Sequence, residues 1–149
     1  MNGQDKIIEP PQAPNPNYPR YSTQPFPAYR FVPGLNPHPT EDSDGHSYGK
    51  KEEDLTDFDP QNWKENETYL YGVDLYNFAY WWESHEVLEG LWRELPKNDP
   101  VHNFLQGLIQ ISAAFIKWNL HEEKGVRLLY ESATDYLRKA YQKNPSYMA

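Results

Sequence analysis

One short stretch of the chain combines side chains that could bind a metal ion or move a proton. It is the sequence His-Glu-Val-Leu-Glu at residues 85–89, an HExxE motif. Because residues four apart are neighbours on a helix, His85 and Glu89 could act together on one atom. Glu86 could act as a general acid or base. The candidate catalytic residues are therefore His85, Glu86 and Glu89, and the candidate metal ligands are His85 and Glu89.

The motif resembles the HExxH helix of zinc peptidases, with a carboxylate in place of the second histidine. A catalytic metal also needs a third protein ligand from elsewhere in the chain. From the N-terminal part of the chain, Arg30, His38 or His46 could contribute a side chain to this site. A divalent metal is thus possible but not favoured, and the sequence identifies no other cofactor.

Aromatic residues surround the motif on a helical wheel. Three of them share the face of His85 and Glu89, namely Trp81, Trp82 and Trp92. A face with three tryptophans is expected to be buried, where an ionisable group without a partner is costly. The same wheel places Glu83 and Glu94 on the opposite side of the helix.

A second polar pair, Gln106 and Gln110, follows on the next predicted helix. That helix is otherwise apolar over most of its circumference. The two amides could form a narrow solvent-exposed strip. They could instead meet His85 and Glu89 across a helix interface, since an amide both donates and accepts hydrogen bonds.

Composition restricts the classes of partner. The chain has 149 residues, a net charge of −8 and no cysteine. Its length suits one domain with a real core, and its negative charge makes nucleic acid an unsuitable partner. Lack of cysteine removes disulfides and thiolate metal sites. With no stretch of signal-peptide or membrane-spanning character, we expect no membrane contact and a cytoplasmic location.

Proline usage divides the chain, because ten of the 14 prolines precede Phe58. Residues 1–17 are predicted to be a disordered tail. Residues 18–57 hold prolines together with aromatic side chains, which predicts an extended arm packed on the folded core. Within the arm, Pro33-Gly34 should make a turn with Gly34 at positive φ. Through its aromatic residues the arm could also contact a protein partner or a second copy of the chain.

Residues 58–149 carry the signals of helices. Asp59-Pro60 and Asp99-Pro100 each combine a capping residue with proline at the first helical position. Four helices are predicted, from Pro60 to about Tyr76, about Tyr80 to Leu95, Pro100 to about Asn119, and about Glu122 to Gln142. No strand pattern competes with them. The predicted fold is all-α, a small antiparallel bundle of about four helices with an extended, proline-rich N-terminal arm.

The helical part resembles a known family. The matching segments are Leu75–Asn77, Trp82–Glu89 with Trp92-Arg93, Phe104–Gln110 and Gly125. They look like domain-of-unknown-function family number 309, whose pattern runs FNxGxYFEAHExLExxWR and then FxQGLIQxA. The departures are Ala79 for a glycine, the Trp81-Trp82 pair for Tyr-Phe, and Val126 for an alanine. The resemblance implies an all-α bundle and a shared polar cluster of His85, Glu89, Gln106 and Gln110, but no reaction.

Two functional hypotheses follow. In the first, the protein is a binding or assembly module, and the His/Glu/Gln cluster with Trp92 is a buried structural network or the lining of a small-ligand pocket. In the second, it is a metal-dependent or acid/base hydrolase that uses the HExxE helix. Whether the protein is an enzyme stays open at this point.

Overall fold

The computed structural model describes residues 6–50 and 58–143, and the described residues form only helices, turns and irregular structure. After a 3-10 helix at Pro60–Glu65, four α-helices follow in order: α1 Glu67–Asn77, α2 Trp81–Arg93, α3 Pro100–Asn119 and α4 Glu123–Lys143. The predicted all-α bundle is confirmed. None of the helices in the described ranges has the length and apolar content needed to cross a membrane.

The first predicted helix is interrupted, so its continuous span from Pro60 was wrong. Asp59 does cap the 3-10 helix, accepting a hydrogen bond from the Gln61 N–H at 2.9 Å. At Asn66 the backbone becomes extended, and the Asn66 side chain accepts from the Tyr69 N–H at 2.8 Å. An asparagine that caps a helix in this way competes with continuous helical hydrogen bonding. Asn66 therefore starts α1 anew.

A tight turn connects α1 to α2, near Asn77 as predicted. Ala79 takes a φ of 66°, and the Tyr80 N–H donates to the Leu75 carbonyl at 2.8 Å. This bonding closes the end of α1 in the manner of a Schellman motif. The two helices then approach closely, since the Ser84 hydroxyl donates to the Gly72 carbonyl at 2.8 Å.

Helix α3 packs against both α2 and α4. Asp99 caps its start, accepting from the Val101 N–H at 2.8 Å. The core between α1, α2 and α3 is built from six buried side chains: Tyr69, Leu88, Leu91, Val101, Leu105 and Ile109. On the other side of α3, a Cβ at Gly107 would lie 2.6 Å from Leu137 Cγ, so glycine permits α4 to pack closely there.

The N-terminal arm lies across α1 and α2. Its strongest anchor is Asp74 of α1, whose side chain is 0% exposed. This carboxylate accepts hydrogen bonds from the Tyr21 and Ser22 N–H groups, from the Ser22 hydroxyl, and from Arg20 Nε at 2.9 Å. Four donors satisfy a buried charge that would otherwise be costly, so the arm and α1 depend on each other.

The predicted turn in the arm is confirmed. Gly34 has a φ of 83°, and the Leu35 N–H donates to the Val32 carbonyl at 3.0 Å. Tyr29, which precedes the turn, contacts residues that follow it: its hydroxyl donates to the Pro37 carbonyl and accepts from the His46 N–H. The arm therefore folds back on itself, which brings His46 to the bundle.

Parts of the predicted tail and arm lie outside the described residues, namely 1–5 and 51–57, as do residues 144–149. Of the rest of the tail, residues 6–9 lie beside the α3–α4 turn. Asn119 Nδ2 donates to the Glu9 carbonyl at 3.1 Å, and Lys6 Nζ donates to the His121 carbonyl at 3.2 Å. The proposed boundaries at residues 17 and 57 stay predictions.

Candidate functional site

The HExxE motif forms a compact charged group on α2. His85 Nε2 lies 3.3 Å from Glu89 Oε2, and His85 Nδ1 lies 3.3 Å from Glu86 Oε1, although the Nδ1 contact lacks the geometry of a hydrogen bond. Glu89 also pairs with Arg93 at 2.7 Å. The side chains of His85 and Glu89 are each 26% exposed. They are half-buried, less enclosed than the tryptophan face suggested.

The two glutamates control the protonation of His85. Burial lowers the pKa of this imidazole, but contact with Glu86 and the charge of Glu89 outweigh burial and raise it above its usual value. In the same contact, His85 holds the pKa of Glu86 below its usual value, against the effect of burial. An imidazolium between two carboxylates is therefore the stable state over a wider pH range than for a free histidine.

The two glutamines lie on α3 at the same level along the helix axes as this group on α2. Trp92 stacks on His102 with centroids 4.7 Å apart, and Trp81 stacks on Phe115 at 5.0 Å. These two contacts fix the register of the antiparallel pair, because both helices rise about 1.5 Å per residue. The register places Gln110 level with His85 and Gln106 level with Glu89.

Three buried polar atoms of this group have no hydrogen-bond partner: His85 Nδ1, Trp92 Nε1 and Gln110 Oε1. Buried polar groups are normally satisfied by protein or by an ordered water. Both glutamines are half-buried, so they form neither a fully exposed strip nor a closed network. The interface is therefore polar but incompletely paired.

The buried carboxylate of α2 is Glu83, and its predicted place on the solvent side was wrong. Its side chain is 5% exposed. Glu83 Oε1 accepts from the Phe31 N–H at 2.7 Å and lies 3.2 Å from His46 Nε2, whereas Oε2 has no hydrogen-bond partner. The helical wheel failed here because it treats α2 as having one buried face, and the arm covers a second.

Burial favours the uncharged forms of both Glu83 and His46. It raises the pKa of Glu83 to about 7, an effect that hydrogen bonds from the backbone N–H groups of Phe31 and Glu83 and the charge of Arg30 only partly offset. Burial, with a smaller effect of Lys50, lowers the pKa of His46. Near neutral pH, Glu83 can therefore gain or lose a proton in response to a small change in its surroundings.

A short hydrogen-bonded chain extends from Glu83 to the surface. His46 Nε2 contacts Glu83, and His46 Nδ1 lies 2.7 Å from the Ser47 hydroxyl. The His46 side chain is 3% exposed and packs on the Tyr29 ring, with centroids 4.7 Å apart. The chain links a protonatable carboxyl to a polar residue at the edge of the arm.

Beside this chain, a cleft of about 790 Å³ lies between the arm and helices α1 and α2. We call it the arm cleft. Aromatic and aliphatic side chains provide much of its wall, among them Phe26, Tyr71 and Val87. The acidic, basic and histidine residues that line it are Lys50, His46, Glu83, Glu86, Arg93 and Glu94. The cleft therefore combines apolar wall with several polar groups, and small-ligand pockets use both.

His38 lies near the HExxE group but is poorly arranged to bind a metal there. Its ring packs edge-on against Trp82, with centroids 5.5 Å apart. His38 Nδ1 accepts from the N–H groups of Thr40 and Glu41 at 3.3 and 3.2 Å. A neutral ring with an acceptor at Nδ1 carries its proton on Nε2, so Nε2 has no lone pair to offer.

Arg30 and His46 are also directed elsewhere than the HExxE group. Arg30 Nε donates to the Phe78 carbonyl at 2.8 Å, and its guanidinium lies over the Tyr80 ring at 4.5 Å. His46 binds Glu83. The arm therefore places these two residues at the α1–α2 turn and at the buried carboxylate.

The remaining candidate for a metal is the motif itself. One ligand atom each from His85, Glu86 and Glu89 lies within 4.8 Å of the other two. One imidazole nitrogen and two carboxylate oxygens suit a divalent cation. Because His85 is also the proton acceptor of the group, a metal would compete with that proton.

Sequence reasoning missed the two buried carboxylates that hold the arm, Asp74 and Glu83. One signal pointed to Asp74, which lies between Val73 and Leu75 in an apolar stretch of α1. For Glu83 no local signal existed, since its partners Phe31 and His46 are 52 and 37 residues away.

Comparison with known proteins gives a family but no activity. No curated protein and no solved structure matches the chain. Residues 69–129, from α1 into α4, match the model of one protein family, and this range contains the HExxE motif, Gln106 and Gln110. That family is described as Domain of unknown function (DUF309), the one the motifs indicated, and residues 69–129 are similar to it.

Proposed function

We propose that the protein is a binding module whose ligand site is the arm cleft. The observation that carries this proposal is the position of Glu83. A carboxyl group that is 95% buried, with Oε2 lacking any hydrogen-bond partner, lines a cleft of about 790 Å³. In a small-ligand pocket, a few polar groups such as this one fix the orientation of the bound molecule.

The alternative explanation, a purely structural role for Glu83, accounts for only half of the carboxyl group. Oε1 binds the arm through Phe31 and His46, as a structural anchor would. An anchor alone gains nothing from an unpaired Oε2, and such an atom is costly. A ligand that donates a hydrogen bond or carries a positive charge would offset this cost.

A thermal-shift screen of small metabolites and buffers tests the proposal. A ligand present at 100 times its dissociation constant stabilises the folded state by about 2.7 kcal/mol, which shifts the Tm of a domain of this size by several degrees. We expect such a shift for the wild-type protein and a much smaller one for Glu83→Gln. Glu131→Gln, at an exposed position on α4, is the matched control. The proposal would be contradicted if the ligands found raise the Tm of Glu83→Gln as much as that of the wild type, or if no ligand raises the Tm at all.

A second candidate function is divalent-metal binding by His85, Glu86 and Glu89. Their ligand atoms lie within 4.8 Å of one another, which supports it. The raised pKa of His85 opposes it, because a proton held on the imidazole competes with a metal for the same nitrogen. If the site does bind a metal, the cation could polarise a bound water for hydrolysis.

Calorimetric titration with Zn²⁺ and Mn²⁺ tests this candidate. Because metal and proton compete for His85, we expect binding of one ion per chain to be at least tenfold stronger at pH 8 than at pH 6. We expect the binding to be lost in His85→Ala and retained in His121→Ala, which changes an exposed histidine far along the chain. Equal binding by the wild type and His85→Ala would rule out the HExxE site.

A further inference from the structure

The arm cleft has an uneven distribution of charge along α2. Three carboxylates line it, on Glu83, Glu86 and Glu94. Of these, Glu86 contacts His85, whereas Glu83 Oε2 and the Glu94 side chain have no partner within the described ranges. Two cations also line the cleft, but Arg93 is paired with Glu89 at 2.7 Å, which leaves Lys50. When Glu83 is ionised, these groups therefore carry two negative charges against the one positive charge of Lys50.

The two carboxylates that have an oxygen without a donor lie far apart along one helix. Glu83 and Glu94 are separated by eleven residues, about 16 Å along the axis of α2. Glu86 lies between them, about 4.5 Å from Glu83 along the same axis. Between these points, Tyr71 and Val87 provide apolar wall that could cover a hydrocarbon chain. A compact cation could reach only one end of this row.

We propose that the arm cleft binds a linear aliphatic polyamine, with ammonium groups at Glu83 and Glu94 and methylene groups against the apolar wall. This inference rests on the proposed function of the cleft and adds the class of ligand. A primary ammonium donates three hydrogen bonds and accepts none, so it matches a carboxylate oxygen that lacks a donor. The net charge of the chain, −8, also favours the approach of a cation.

The proposal predicts a link between binding and protonation. Glu83 must be ionised to pair with an ammonium, and burial raises the pKa of Glu83 to about 7. The other ionisable groups facing Glu83 are His46 and Lys50 of the arm, Arg30, and Tyr71 of α1. Of these, only His46 has an ordinary pKa near neutrality, and its pKa is lowered. Affinity should therefore rise between pH 6 and pH 8, with release of a proton.

Isothermal titration with spermidine at about 0.15 M salt tests the inference, since salt of this strength screens loose surface attraction. We expect one spermidine per chain, with affinity at least tenfold lower in Glu83→Gln and in Glu94→Gln. Glu131→Gln should bind within twofold of the wild type. Octane-1,8-diol and octanedioate, of similar length but without ammonium groups, should not bind.

Each other outcome is decisive. If spermidine binds Glu83→Gln or Glu94→Gln as tightly as it binds the wild type, it is only a surface counterion. That result would overturn the inference. Glu83-dependent binding of octanediol or octanedioate instead of spermidine would overturn the polyamine assignment and leave the arm cleft as a ligand site. If no probe binds and the metabolite screen is also empty, both proposals fail.

Discussion

Replacing Asp74 by alanine should destabilise the protein by about 3–5 kcal/mol, because several donors at the covered arm–α1 contact lose their acceptor and each unsatisfied buried group costs about 1–3 kcal/mol. The backbone N–H groups of Tyr21 and Ser22 would lose their acceptor, as would Arg20 Nε, although Arg20 Nη2 keeps the Gln24 carbonyl. Urea unfolding measures this loss, and limited proteolysis of the folded variant should now cut within the arm. The total stability of such domains is about 5–15 kcal/mol, so the effect is a large part of the whole.

The matched control is Asp135→Ala on α4, where the carboxylate is 54% exposed and pairs with Lys139. An exposed ion pair contributes little, so we expect no more than about 1 kcal/mol. A loss below about 1 kcal/mol for Asp74→Ala, with an arm that still resists protease, would contradict the role of Asp74 as the anchor.

Acid should weaken the same anchor. Burial raises the pKa of Asp74, but hydrogen bonds from Arg20, Ser22 and Tyr21 outweigh burial and lower it below the usual 3.8. A lowered pKa means that the stabilisation is present above pH 3.8 and is lost as pH falls through the pKa of the folded state. The difference in stability between the wild type and Asp74→Ala should shrink in that range.

Leu75→Ala should cost about 2–5 kcal/mol, the range for a large-to-small change in a closed core. Leu75 is 0% exposed and packs with Tyr71 and Tyr80 in a cluster that Phe26 of the arm covers. The substitution leaves a cavity under the arm, which the helices around it cannot fill without moving. Its effect should therefore appear both in urea unfolding and in easier proteolysis of the arm.

Leu128→Ala is the control for this substitution, because Leu128 on α4 is 55% exposed. Its truncation should change the free energy of unfolding by roughly 0.5 kcal/mol or less. Similar losses for the two variants would mean that the arm and the α1–α2 hairpin do not share a core.

The helices could be predicted because their signals are local. Asp59-Pro60 and Asp99-Pro100 cap the elements they were expected to cap, and Pro33-Gly34 makes the expected turn. Asn66 was missed because asparagine is tolerated within a helix, and its side chain caps α1 only when the backbone turns outward there. The sequence around Asn66 is therefore compatible both with a continuous helix and with a new helix start.

The site was harder to predict than the fold, because its main contacts are not local. Periodicity identified the contact of His85 with Glu89, since both belong to one helix. It could not identify His46 as the partner of Glu83, because that contact depends on how the arm folds over α2. A helical wheel assumes that an amphipathic helix has one buried face. Because the arm covers a second face of α2, Glu83 is buried where the wheel predicts an exposed side chain.

The most direct test of the ligand site is the ionisation of Glu83, followed through its side-chain carboxyl carbon by NMR titration. Glu83→Gln, which lacks the resonance, assigns the signal. If the arm buries this carboxyl beside the cleft, the titration should give a pKa of about 7. A pKa near 4.5, the ordinary value for a solvated glutamate, would mean that Glu83 is exposed and would contradict the assignment of the arm cleft as the functional site.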